Sequence, residues 1–92
     1  MLNIFKDAIS TFGVESQIKK SIEEMGELIV ELAHHLDSRN NTLEVAEEIA
    51  DVSIMISQLK LIFDAIMIEE FERKKLERLA ERIQKEKRKN EN

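Results

Sequence analysis

Cysteine and proline are absent from this chain of 92 residues, glycine occurs only twice, and aromatic side chains make up 4%. Without cysteine, a disulfide framework, a thiolate zinc site and a catalytic thiol are all excluded. Residues that break helices are scarce, and β-branched residues never form a sustained alternation, so the composition favours helices. The sequence therefore predicts an all-α protein.

A membrane-spanning segment and a surplus of basic residues are also missing. No apolar run approaches the roughly 18 residues that a membrane span needs. Residues 1–12 carry Lys6 and Asp7 within their apolar pattern, unlike a secretory signal. The formal net charge is −5, whereas broad binding to nucleic acid needs a basic face. We therefore expect a cytoplasmic protein that binds neither membrane nor nucleic acid.

The length predicts a single domain near the lower size at which one core suffices. Part of the apolar surface is then expected to be buried against another subunit, in a homodimer or homotetramer. We assign residues 1–92 to this domain, with a helical core over about residues 13–84 and a charged tail, residues 85–92, that frays.

The spacing of apolar residues predicts a bundle of about four helices. The first covers about residues 2–12 and ends at Gly13. The second covers about residues 16–36, with an apolar seam at helical spacing formed by Ile18, Ile22, Met25, Ile29, Leu32 and Leu36. Asn41 and Glu44 resemble a capping box that begins a third helix, which ends near residue 63. A break near residues 64–67, with Asp64 as a candidate N-cap, precedes a last helix over about residues 68–85.

Two acidic strings carry the candidate chemistry, EEMGE at residues 23–27 and EEIAD at residues 47–51. Each contains two carboxylates three residues apart, Glu24 with Glu27 and Glu48 with Asp51, which project side by side from a helix. If the two helices form an antiparallel hairpin around residues 37–41, the two pairs lie within a few ångström of the same level. Both pairs also lie beside the apolar seam, so they can face one site.

Four carboxylates in one place would repel one another and raise each other's pKa, and a hard divalent cation removes that repulsion. Oxygen ligands select magnesium, with manganese as a substitute, over zinc or copper. Either string alone is also typical of a solvated helix face, because glutamate is a good helix former. Two strings at matching height favour a metal site, and so does Gly26, since a glycine inside a helix costs roughly 1 kcal/mol relative to alanine.

At these residues the chain resembles the MazG-like, all-α nucleoside triphosphate pyrophosphohydrolases, whose pattern is an EExxE helix followed by an EExxD helix. The resemblance covers about residues 13–80. It implies metal ligands at Glu24, Glu27, Glu48 and Asp51. It also implies outer-shell or base roles for Glu23 and Glu47, and phosphate-binding residues on the last helix at Lys75 and Arg78, with Lys74 as an alternative to Lys75. Gln17, which precedes the acidic helix on the same side, is a further candidate for contact with the nucleotide.

The activity that this resemblance implies is magnesium-dependent hydrolysis of a (deoxy)nucleoside triphosphate between its α and β phosphates. The products are a nucleoside monophosphate and pyrophosphate, released after attack by an activated water. No serine, cysteine or histidine nucleophile is required. Members of the family work as dimers or as dimers of dimers.

Other functions are also compatible with parts of the sequence. Phosphoribosyl-ATP pyrophosphatase is a short helical chain with paired carboxylates, but its serine-tyrosine-threonine string and its arginine-histidine pair are absent here. Glu31 and His34 match the ExxH motif of di-iron bundles, but a di-iron site needs two such motifs and this chain has one. His34 and His35 are more typical of a helix C-terminus, where they interact with the helix dipole. Lysine and arginine concentrate in residues 73–89, and this segment could instead belong to a non-catalytic helical interaction module.

Overall fold

The computed structural model describes residues 3–91, which form four α-helices and no strand: α1 (Ile4–Phe12), α2 (Val14–Leu36), α3 (Thr42–Ile62) and α4 (Ala65–Asn90). The all-α prediction is confirmed. The predicted start of the first helix at Leu2, and the ends of the predicted domain at Met1 and Asn92, lie outside the described residues. No helix in the described part of the chain has both the length and the hydropathy to cross a bilayer.

Gly13 joins α1 to α2 and ends α1 as predicted. Its backbone has φ 95° and ψ 150°, and its N–H donates to the carbonyl oxygen of Ile9 at 2.9 Å. At the other end of α1, the Asn3 side chain accepts a hydrogen bond of 3.1 Å from the backbone N–H of Lys6. Both ends of α1 are therefore capped, and the helix packs against α2 and α3.

An antiparallel hairpin of α2 and α3 forms the centre of the molecule, and its turn lies between Leu36 and Thr42, as predicted. Ser38 in this turn adopts a left-handed backbone conformation with φ 67°. The predicted capping box is corrected. Asn41 occupies the N-cap position of α3, but its side chain makes no capping bond. It donates instead to the carbonyl oxygen of Glu31 at 2.8 Å, which ties the turn to α2.

The predicted break after α3 is confirmed. Asp64 caps α4 by accepting a 3.0 Å hydrogen bond from the backbone N–H of Met67. The helix then continues to Asn90, through most of the segment that was expected to fray. Its last turn contains Lys87, Arg88 and Lys89, and cations there interact favourably with the helix dipole.

The apolar seam of α2 does not face α3, contrary to the sequence-based expectation of a core seam. Ile22 and Ile29 are each 67% exposed, and Leu36 is 84% exposed. The side of α2 that packs on α3 is offset by one residue and buries Gln17, Ser21 and Glu24. Met55 of α3 is the one buried hydrophobic residue among those described. The interior of the hairpin is therefore largely polar, and most apolar side chains remain open.

α4 extends away from the hairpin. It packs only against α3 within the described residues, close to the joint, where Lys60 forms an ion pair of 2.9 Å with Glu72. Every residue from 69 to 91 is exposed. A helix of 26 residues is about 39 Å long, and the longest extent of the described residues is 57 Å.

Candidate functional site

Hydrogen bonds at both ends hold the register of the α2–α3 hairpin. Near the start of α2, the Gln17 side chain donates from Nε2 to Oε1 of Gln58 at 2.7 Å, and both residues are buried. Near the turn, Asn41 donates to the carbonyl and, at 3.0 Å, to the carboxylate of Glu31. Between these two clamps α2 and α3 cannot slide past each other without leaving buried polar groups unpaired.

The carboxylates lie between the two clamps. From the glutamine pair, equal numbers of residues along the antiparallel helices place Glu24 level with Asp51, and Glu27 level with Glu48. Glu24, Glu27 and Glu48 each offer a carboxylate oxygen within 4.8 Å of the others. We refer to these three residues as the carboxylate cluster.

Two oxygens of the carboxylate cluster are buried without a hydrogen-bond partner in the described part of the chain, Oε2 of Glu24 and Oε2 of Glu48. Glu24 is only 7% exposed. Loss of solvation raises the pKa of Glu48 above its ordinary value of 4.5, and the negative charges of Glu27, Asp51 and Glu24 raise it further. The cluster thus combines buried, unsatisfied acceptors with mutual repulsion.

Lys20 is the cation closest to this repulsion on α2. Its Nζ lies 3.1 Å from Oε1 of Glu24 and 3.8 Å from Oε1 of Glu23. The hydrogen bond to Glu24, with the charge of Glu23, raises the pKa of Lys20. Its side chain is half exposed, so it neutralises one side of the cluster from the solvent edge.

The remaining acidic residues predicted for the site lie around the cluster. Asp51 is exposed and stands outside the group of three oxygens, although its charge acts on Glu48. Glu23 is exposed and lies at the edge of the cluster beside Lys20. Glu47 is exposed on α3. It is rotated by about 100° around the helix axis from Glu48, so the structure does not bring it into the group.

The predicted substrate-binding residues fall in two different places. Gln17 is buried in the hairpin, near the carboxylate cluster, and is bonded to Gln58. Lys74, Lys75 and Arg78 are exposed on α4, a helix that does not approach α2 in residues 3–91. Within one chain the structure therefore joins Gln17 to the acidic region and leaves the three cations apart from it.

Two open depressions flank the acidic region. A groove of about 1020 Å³ lies between α1 and the hairpin, and its lining includes Phe12, Gln17, Lys20, Glu23 and Gln58. A smaller hollow of about 490 Å³ is lined by Glu23, Gly26, Glu27, Val30, Glu31 and Glu48. Glu23 lines both depressions. The two depressions therefore adjoin at this residue, and the smaller one is lined mostly by carboxylates.

Comparison with known protein families, with curated protein sequences and with solved structures finds no match. The family resemblance of the two acidic strings thus remains a prediction from the sequence. Support for a function comes from the geometry of the site.

Sequence reasoning missed Lys20 and Gln58. Lys20 could have been found from its position four residues before Glu24, which is the spacing of ion pairs on a helix. Gln58 gives no such signal, because its partner lies 41 residues away in the chain. Its role depends on the hairpin register, which a single sequence does not specify at that precision.

Proposed function

We propose that this chain is a MazG-like, magnesium-dependent hydrolase that converts nucleoside triphosphates to nucleoside monophosphates and pyrophosphate. The observation that carries the proposal is the pair of buried, unpartnered oxygens on Glu24 and Glu48, inside a group of three carboxylates. Burying carboxylate oxygens without a partner is unfavourable, and this arrangement is explained if a cation completes the site.

The residues present fit a hard cation. The donors are carboxylate oxygens without nitrogen or sulfur ligands, which suits magnesium or manganese. Glu24, Glu27 and Glu48 would hold the ion, and Asp51, level with Glu24 on the facing helix, would complete the set after a change of side-chain rotamer. Magnesium, when bound, supplies charge neutralisation of the phosphate oxygens.

The chain's own groups supply the rest of the proposed chemistry. Lys20 can turn from Glu24 towards a phosphate at the mouth of the groove, because its side chain is half exposed. Glu23, which faces both depressions, is the carboxylate best placed to accept a proton from the attacking water. Glu47 is the alternative base and receives less support, because it lies outside the cluster.

The nucleoside would occupy the larger groove, with Gln17 in its lining. An amide in a groove can hydrogen-bond a base or sugar while the apolar wall at Phe12 and Met55 packs against it. We also propose that the working form is a homodimer or homotetramer. The exposed seam of α2 supports this, since so large an apolar surface is uncommon on a monomer.

Two substitutions test the proposal. Glu24→Gln and Asp51→Asn should each lower hydrolysis by about 100-fold or more, because each removes a ligand from the ion that stabilises the phosphate charge. The helical circular dichroism signal should stay unchanged. Glu44→Gln, an exposed acid in the first turn of α3, is the matched control and should retain activity.

The assay supplies a panel of (d)NTPs with magnesium and measures pyrophosphate and phosphate separately, while calorimetry measures magnesium binding. Full turnover in both variants would show that the metal site is misassigned.

A non-catalytic helical interaction module is the second candidate, and the exposed apolar side chains along α4 favour it. The same panel separates the two functions. A module would release neither pyrophosphate nor phosphate from any nucleotide, and its binding of magnesium would be weak.

A further inference from the structure

The basic half of α4, residues 73–89, has no acidic partner outside its own helix in the described chain. Arg73 pairs with Glu70 and Glu77 of the same helix. Among residues 3–91, the only ion pair from α4 to another helix is Glu72 with Lys60, and it precedes the basic half. The segment that holds most of the chain's cations is therefore fully solvated.

Charge is strongly divided between this segment and the remainder of the chain. Residues 73–89 carry nine lysines or arginines and three glutamates, a net charge of +6. Because the whole chain carries −5, all other residues together carry −11. Two parts of opposite charge that do not meet within one chain are complementary surfaces for contact between two chains.

The apolar residues of α4 match those left open on α2. Leu76, Leu79 and Ile83 are spaced by three and then four residues and are 65%, 46% and 44% exposed. Ile22, Met25 and Ile29 repeat this spacing on α2, where Ile22 and Ile29 are exposed and Met25 is half-buried. Two such stripes pack together along a pair of helices.

Cations and carboxylates accompany these two stripes. On α4, Lys75, Arg78 and Arg82 each precede one residue of the apolar stripe, with the same spacing. On α2, Glu23 follows Ile22, and Glu27 lies between Met25 and Ile29. Packing of the apolar stripes therefore brings the basic stripe of one helix to the acidic residues of the other.

We propose that the basic half of α4 docks onto the α2 face of a second copy of this chain, and that Lys75 and Arg78 complete the partner copy's site at the carboxylate cluster. This rests on the proposed function for the role of the two cations, which would hold the phosphates of the substrate. By two-fold symmetry, each copy gives one arm and receives one. Each site is then incomplete in a single chain.

Complementation between two inactive variants tests the exchange. Glu24→Gln lacks a metal ligand but has an intact α4, and the double variant Lys75→Gln/Arg78→Gln has intact carboxylates. If the arms are exchanged, co-refolding equal amounts yields mixed dimers with one intact site, and about a quarter of wild-type activity returns. If each arm serves its own chain, no mixed dimer has an intact site and activity stays at the level of the separate variants, which overturns the proposal. Lys6→Gln/Arg39→Gln, which removes two exposed cations outside the basic half and so has the same charge loss, is the control and retains activity alone.

A second measurement does not depend on hydrolysis. Wild-type chains labelled with ¹⁴N and ¹⁵N are mixed, joined with a zero-length carbodiimide reagent and mapped by mass spectrometry. We expect links from Lys74 or Lys75 to Glu23 or Glu27 that combine both isotopes. Links within one isotope only, or mixed links confined to α4 with α4, overturn the exchange. Mixed links to α2 in a protein without hydrolysis would uphold the docking and reject the proposed function.

Discussion

The α2–α3 hairpin and α4 are both helical and both rich in charged residues, yet their polar side chains meet opposite conditions. In the hairpin, Gln17, Glu24 and Gln58 are buried between two helices and tied into its register. In α4, every side chain beyond Ile68 is exposed and ion pairs form mostly along the helix itself. Similar composition therefore gives a desolvated, specific interior in one region and a solvated arm in the other.

This difference predicts in which region a substitution changes the free energy of unfolding. A polar group in the hairpin has lost its water and depends on one partner, so removing that partner leaves an unpaired group in the interior. A polar group on α4 that lies outside the proposed contact with a second copy keeps its water, and replacing it changes stability by little.

The largest stability effect is expected at the glutamine pair. Gln58→Leu should lower the free energy of unfolding by about 1–3 kcal/mol, because the Gln17 amide is left buried and unpaired. The double variant Gln17→Leu/Gln58→Leu should recover most of this loss, since two apolar side chains can pack together. Thermal melting followed by circular dichroism measures both variants.

Gln84→Leu on α4 is the matched control for the glutamine pair, because Gln84 is exposed. Its free energy of unfolding should stay within about 0.5 kcal/mol of wild type. Equal losses for Gln58→Leu and Gln84→Leu would contradict the contrast between a desolvated hairpin and a solvated arm.

A substitution at Gly26 is expected to raise the stability of the hairpin while weakening its binding of ligand. A β-carbon at this position would meet nothing within 4 Å, so a packing requirement within the chain does not explain the glycine. Gly26→Ala should raise the free energy of unfolding by about 1 kcal/mol through helix propensity. Because Gly26 lines the smaller hollow, the same variant should bind magnesium nucleotide more weakly. A gain in stability with unchanged affinity would show that the hollow is not used.

The smallest effect concerns pH and the Glu48 carboxyl. Its raised pKa means that the folded chain binds this proton more tightly than the unfolded chain does. The contribution of this protonated carboxyl to the stability of the fold is fully present at pH values below its ordinary pKa of 4.5, and it is lost as the pH rises through the raised pKa. In the presence of a chelator, the melting temperature should therefore fall over this interval, and Glu48→Gln should flatten the slope.

Magnesium should act in the opposite sense, because it binds the deprotonated cluster. Its stabilising effect should grow as Glu48 loses its proton and should disappear on acidification. A melting temperature with the same pH dependence in wild type and in Glu48→Gln would contradict the assigned environment of this carboxyl.

The sequence predicted the elements well because their signals are local. Gly13 and Asp64 mark helix ends through backbone conformation and capping, and both act as predicted. Asn41 did not cap its helix: its Nδ2 donates to Glu31 across the turn, and its Oδ1, the atom that would accept a capping bond, has no partner among the described residues. The orientation of the Asn41 side chain is set by a contact between two helices, which local sequence patterns do not predict.

The orientation of α2 was harder to predict. Two stripes at helical spacing run side by side along this helix, an apolar one that includes Ile22 and Ile29 and a polar one that includes Gln17, Ser21 and Glu24. Periodicity shows which residues share a face but not what covers that face. The apolar stripe was expected to face α3, whereas the structure turns the polar stripe towards it and leaves the apolar stripe open.

One wall of the larger groove is α1, which packs on α2 and α3 and joins α2 through the single residue Gly13. α1 is held at its angle by Gly13, whose φ of 95° is a conformation that side chains with a β-carbon rarely adopt. An alanine there would force α1 to a different inclination, although the space around the position is free. The acids that would act on a ligand lie on α2 and α3, whereas the groove wall at Phe12 lies on α1, so a substitution at Gly13 could change the size of molecule admitted without altering those acids.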